Sequence, residues 1–151
     1  MSVAAPSLPP GEVDAATFLA MGQDILAKQA FSRLLGAELT ALARGHCTLE
    51  LPVRDELLQQ NGFVHGGAVS YLADNALTFA GGGALSGPVV TSEYKLNYVR
   101  PAIGQRLIAR AEAVAVSKSQ AVCRCEVFAV SDGVERLCAL AQGTIARLAG
   151  G

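Results

Sequence analysis

Apolar positions along the chain fall into two kinds of run, one with a helical period and one that alternates. Over residues 14–35, Phe18, Met21, Ile25, Leu26 and Gln29 recur at helical spacing, with Asp14 placed to cap the start and Gly36 to stop the end. Residues 37–44 and 46–53 are short strand candidates around a turn at Arg44-Gly45. In the second, Cys47, Leu49, Leu51 and Val53 alternate with His46, Thr48 and Glu50. Pro52 and the polar run 54–61 break into a loop. A second helix fits residues 66–80, with Gly81-Gly82-Gly83 as its stop. Beyond Pro88 the pattern predicts strands over 89–100, 106–116, 120–130 and 134–148. In the first of these, Val90, Tyr94, Leu96 and Tyr98 share one face and Glu93, Lys95 and Asn97 the other. Ser131-Asp132-Gly133 is a hairpin signal. Consecutive strands with short turns imply an antiparallel sheet, so the expected class is α+β, with a long helix covered by a curved sheet. Residues 1–11, Pro-rich and without a period, are expected to be a flexible lead-in, and 12–151 a single domain.

Composition sharpens this picture. Of 151 residues, 51% are hydrophobic and only 17% charged, which excludes disorder and coiled coil. Twelve Lys and Arg against thirteen Asp and Glu leave no electrostatic footprint for nucleic acid or an anionic membrane surface. The most apolar window, 62–90, contains His65, Asp74 and Asn75. A central Asp costs about 2.5–3.5 kcal/mol on insertion scales, so no bilayer span is expected. No basic stretch precedes an apolar one at the N-terminus, so no secretory signal is expected either. Cys47, Cys123, Cys125 and Cys138 form no C-x-x-C pair, which points to a reduced, cytoplasmic setting. Cys123 and Cys125 share a strand face with Val127 and Ala129, a core pattern, and His46 falls on a solvated face. With two histidines in the chain, no metal site is expected. The apolar surplus over one small core is expected to line subunit interfaces.

The informative segment is 59–78. On an ideal helix with Asp74 at zero, Gly67 lies at about 20°, Thr78 at about 40° and Ser70 at about −40°. Val69, Leu72, Ala76, Phe79 and Ala80 occupy the opposite side. One stripe is thus small and polar around a single carboxylate, with no other charge between Val64 and Glu93. The plain alternative is a solvated helical Asp, and an incidental His65 at the helix entry. A carboxylate in apolar surroundings, however, is suited to act as base or nucleophile. His65-Gly66-Gly67 opens the helix, where unpaired N–H groups and the positive dipole end can polarise a carbonyl.

The run G-x-x-H-G-G followed by L-A-D-N-A, with T-S-E-Y-K-L-N-Y-V-R-P-A about twenty residues on, resembles the hotdog-fold acyl-CoA thioesterases of the phenylacetate-degradation (PaaI-like) type over about residues 30–148. The resemblance implies a sheet wrapped around the long helix, sites at a dimer interface, a homotetramer built from two dimers, and no cofactor, since CoA belongs to the substrate. It puts the catalytic acid on Asp74 and the carbonyl-polarising N–H on Gly66, with His65 and Gly67 shaping the pocket. Gln59 would sit near the reacting carbonyl or water, with Asn61 as its neighbour. Thr78 matches a hydroxyl that positions water in some relatives. In others that hydroxyl comes from the next strand of a partner subunit, which here means Thr91 or Ser92. CoA-phosphate contacts would fall near Arg100, Lys118 and Ser119. The acid is Asp rather than Glu, which leaves nucleophile and general base both open. Phe63, Tyr71, Leu77 and Tyr94 are candidates for setting pocket depth.

The expected activity is therefore hydrolysis of a small or medium acyl-CoA, aromatic groups included. Two other classes compete on the same fold: an enoyl-thioester hydratase or dehydratase using His65 and Asp74, and a non-catalytic acyl-CoA binder.

Overall fold

The structure, a computed structural model, describes residues 13–149; the lead-in expected over 1–11 lies outside them. Asp14 caps the first helix, its carboxylate accepting from the Thr17 N–H and hydroxyl at 2.9 and 2.8 Å. The expected single helix is two, α1 (Ala15–Lys28) and α2 (Ala30–Leu35), broken at Gln29. No Gly or Pro marks that break. Met21 and Ile25 stay exposed, while Gly22 and Leu26 meet the sheet. Gly36, at φ 82°, ends α2, and the Arg54 guanidinium donates to the carbonyls of Leu34 and Leu35 at 2.6 and 2.7 Å. A cation is thereby placed at the negative end of the helix.

Strands β1 (Glu38–Ala43) and β2 (His46–Pro52) form a hairpin, followed by a 3-10 turn at Asp55–Leu57. The long helix α3 (Gly66–Leu85) leads to β3 (Val89–Tyr98), β4 (Arg106–Val116), β5 (Gln120–Ser131) and β6 (Val134–Arg147). The sheet is antiparallel throughout, in the order β1-β2-β4-β5-β6-β3, and curves around α3. This is the expected α+β architecture. The β5–β6 hairpin turns through Asp132 and Gly133, both at positive φ. The core is formed by Leu72, Ala76 and Leu77 of α3 against Leu49, Leu51, Leu107, Val127 and Ile145 of the strands.

Further expectations fail in α3 and β3. Gly81-Gly82-Gly83 does not stop α3, which continues to Leu85 and ends at Ser86 in the left-handed region. Packing overrides propensity here: a Cβ at Gly81 would lie 2.6 Å from Ile145 Cβ, so glycine lets the helix rest directly on β6. In β3 a bulge between Thr91 and Glu93 shifts the alternation by one. Thr91 therefore faces α3 together with Tyr94 and Leu96, while Val90 and Ser92 face out, against the plain period-two reading. Tyr98, expected on the same inward face, is 56% exposed.

Candidate active site

The first turn of α3 is organised by His65. Its backbone is extended (φ −58°, ψ 135°), and its Nδ1 accepts from the Gly67 N–H at 2.8 Å. That bond occupies the Nδ1 lone pair and leaves Nε2 as the ring nitrogen open to another partner. The Gly66 N–H, by contrast, donates to no acceptor among the described residues. Tyr98 lies across this turn, its hydroxyl donating to the Gly66 carbonyl at 2.8 Å. Gln59 is held in a tight turn in which its N–H donates to the Phe63 carbonyl at 2.8 Å, and its side-chain carbonyl accepts from the Asn61 N–H. That leaves the Gln59 amide protons unspent. A cleft of about 710 Å³ opens here, lined by Gln59, Phe63, His65, Gly66, Gly67, Tyr98, Arg100 and Cys138 among others. Asn61 is exposed and outside it.

Two turns further along α3 stands a second cluster. The Thr91 hydroxyl donates to Asp74 Oδ1 at 2.7 Å. The Thr78 hydroxyl lies 2.9 Å from both the Asp74 carbonyl and the Thr91 hydroxyl, and its single proton can serve only one of them fully. One turn before the acid, Ser70 and Tyr94 join their hydroxyls. The bulge in β3 is what aims Thr91 and Tyr94 at the same helix stripe. Asp74 is half-buried.

The two clusters do not meet within the chain. Gly66 and Asp74 are eight residues apart on one helix, about 12 Å along its axis. Helical N–H groups point toward the N-terminus, away from Asp74. A thioester carbonyl bound by an N–H and attacked by a carboxylate spans only about 7–8 Å. Arg100 borders the Gly66 cleft, whereas Lys118 and Ser119 lie at the far end of α3, where the Ser119 carbonyl accepts from Arg147 N–H at 2.8 Å. Leu77, a candidate for pocket depth, is wholly buried in the core instead. A further concavity of about 560 Å³ on the outer sheet face is crossed by paired charges such as Arg124–Glu112. Among the described residues no three His, Cys, Asp or Glu side chains gather as a metal site, and no helix is long and apolar enough to cross a membrane.

A family model for the thioesterase superfamily matches residues 61–135, the stretch from the Gln59 turn through β5. A thioesterase family protein from Silicibacter pomeroyi is 34% identical, with 91% of this chain and all of that chain covered and a TM-score of 0.82. The chain belongs to the thioesterase superfamily. A point mutant of the phenylacetic acid degradation protein PaaI from Thermus thermophilus is 38% identical, over 78% of this chain and 98% of that one, with a TM-score of 0.68. The Escherichia coli PaaI protein from the phenylacetic acid degradation operon shares the fold at 22% identity, covering 90% of this chain and 96% of its own, with a TM-score of 0.80. Among curated proteins, none matches the chain in sequence.

The chain is thus a PaaI-like hotdog thioester hydrolase. Of the alternatives Thr91 and Ser92, it is Thr91 that reaches the acid of its own chain. Sequence reasoning missed Tyr98 as the residue lying over Gly66, and the Ser70–Tyr94 pair beside the acid. The Y-V-R-P-A run marked the first; the bulge hid the second.

Proposed function

We propose that this thioesterase hydrolyses acyl-CoA, with small or medium acyl groups, at sites shared between two copies of the chain. The observation that carries the reading is the division of labour along α3: an unpaired Gly66 N–H at one end and a hydroxyl-held Asp74 carboxylate about 12 Å away. A second copy placed antiparallel would set its Asp74 opposite the first copy's Gly66, twice. Strand β3 is a sheet edge and can pair with its counterpart to continue the sheet. In each site the thioester oxygen accepts from Gly66 N–H, with Gln59 beside it, and Asp74 from the partner works on the carbonyl carbon. His65 and Gly67 shape the turn, Thr78 and Thr91 orient the acid, and Arg100 receives CoA phosphate. Lys118 and Ser119 reach CoA only from the other copy.

Either of two routes gives acid and free CoA. Asp74 attacks, the C–S bond breaks, and water opens the resulting anhydride; or Asp74 takes a proton from water as that water attacks. In both, the departing thiolate takes up the proton. No cofactor takes part. The working assembly is a homotetramer of two such dimers, and the four unpaired buried thiols suit a reducing cytoplasm. The hydratase reading needs His65 and Asp74 as an acid–base pair, and with Nδ1 committed to Gly67 only His65 Nε2 could serve it. Asp74→Ala should abolish free-CoA release across an acyl-CoA panel and leave the oligomer intact. Survival of turnover on the best substrate removes Asp74 from the reaction. After single turnover in ¹⁸O-water, label in the Asp74 carboxylate establishes an anhydride opened at the Asp74 carbonyl, a result the general-base route does not give.

A further inference from the structure

The break between α1 and α2 is held by side chains. Ser32 is the one fully buried polar residue among those described, 1% exposed. Its Oγ donates to Gln29 Oε1 and accepts from the Tyr71 hydroxyl, both at 2.6 Å. The Asn75 amide donates to Gln29 Oε1 at 3.0 Å and to the Tyr71 hydroxyl at 3.2 Å. These four side chains close a ring in which the Ser32, Tyr71 and Asn75 donors all find acceptors, and none of the ring's buried polar atoms is left unpaired. Such a network holds its members in a defined mutual orientation. Tyr71 stands three residues before Asp74 on α3 and Asn75 one residue after it, so the ring borders the acid.

Phe31 depends on this ring for its position. It meets Tyr71 edge-on, with centroids 5.3 Å apart and planes at 87°, and it is flanked in α2 by Ser32. Yet it is 58% exposed. A large apolar ring is thus held against Tyr71, three residues before the acid on α3, while much of its surface is exposed. Tyr71 and Asp74 are neighbours on one helix face, about 5–6 Å between Cβ atoms. The Phe31 ring begins one aromatic contact beyond that.

We propose that Phe31 and Tyr71 form the end wall of the acyl-group site at Asp74, and that the Gln29–Ser32–Tyr71–Asn75 ring sets how far that wall stands from the acid. The wall leaves room for a short chain or a single ring and meets a long chain head-on. This rests on the thioester reading above and adds what limits its substrate.

The test is kcat/KM on a ladder of straight-chain acyl-CoAs from acetyl to palmitoyl, read as free-CoA release. Parent, Phe31→Ala and Tyr71→Phe are compared, with thermal melting to confirm the fold. Because Phe31 is largely exposed, its alanine variant should melt like the parent. Its preference should move to longer chains, the ratio of long-chain to short-chain kcat/KM rising about tenfold or more. Tyr71→Phe keeps the ring and releases it from Ser32 and Asn75, so it should broaden the profile in the same direction, through KM more than kcat. Unchanged ratios in Phe31→Ala, or a uniform loss at every chain length, overturn the end wall while leaving the thioesterase reading intact. A parent that turns over no rung overturns both.

Discussion

Replacing Gly66 by proline removes one N–H from the first turn of α3 and changes little else. Proline is tolerated at the first helical position, and His65, with ψ 135°, already has the extended backbone preferred before proline. An added Cβ would lie 3.2 Å from the Tyr98 hydroxyl oxygen, and that ring is exposed enough to give way. Stability should therefore shift by no more than about 1 kcal/mol. Loss of a carbonyl-polarising donor, in contrast, should lower kcat by about 10²–10³, or about 2.7–4 kcal/mol of barrier. Asp74→Asn is the complementary defect, isosteric and still able to accept from Thr91. Because the two groups stand about 12 Å apart on one rigid helix, each variant damages a different half of every shared site. Equal mixing of exchanging dimers gives half heterodimers, each with one intact site of two, so activity should recover to about a quarter of the parent's. The assay is free-CoA release after co-refolding, with differently tagged chains pulled down in tandem to prove exchange. No recovery despite proven exchange refutes the shared site. A Gly66→Pro enzyme at the parental rate refutes the donor.

Other outcomes follow from the same geometry. Thr91→Val keeps the β-branched shape and deletes the 2.7 Å donor to Asp74; kcat should fall about 10- to 100-fold with an unchanged melting temperature, and an unchanged kcat would make the hydroxyl purely structural. Ser32→Ala leaves Tyr71, Asn75 and Gln29 short of a partner, costing about 1–3 kcal/mol. That should lower the melting temperature by about 2–4 °C per kcal/mol, and an unaltered melt refutes the ring's contribution. Burial pushes the thiols of Cys123 and Cys138 up to about 11 and Cys125 to about 12, and raises Cys47 as well. These thiols should resist iodoacetamide at pH 8 until the protein is denatured. A raised thiol pKa means the folded state holds protons that the unfolded chain releases near its ordinary value of 9.0. Their contribution is complete below pH 9, and chemical denaturation should show stability declining as pH rises from there toward 11.

The order of elements, the core faces of β2 and β5, the cap at Asp14 and the helix entry at His65 were legible because each follows from local period and chemistry. The acid stripe on α3 was legible for the same reason. What escaped reading depends on contacts distant in sequence. Three glycines read as a helix stop because propensity knows nothing of Ile145 pressing from β6. The bulge at Ser92 carries no compositional mark, so alternation put Val90 where Thr91 belongs. The break at Gln29 is stabilised by Tyr71 and Asn75, some forty residues away. Asn61 and Gln59 could not be told apart until the turn showed which one lines the cleft.

The glycines of α3 have a consequence for motion. At Gly81 the helix rests on Ile145 with no space for one more carbon, and at Gly83 a Cβ would come within 3.3 Å of the Ala43 carbonyl. The helix backbone there is in close contact with both strands. At the opposite end, the His65–Gly67 and Tyr98–Gly66 bonds are single, exposed and exchangeable. The helix is packed without slack at its tail and held by exposed bonds at its head, so adjustment to a docking thioester is concentrated in the turn that carries the Gly66 N–H, while the mid-helix carboxylate keeps its Thr91 partner.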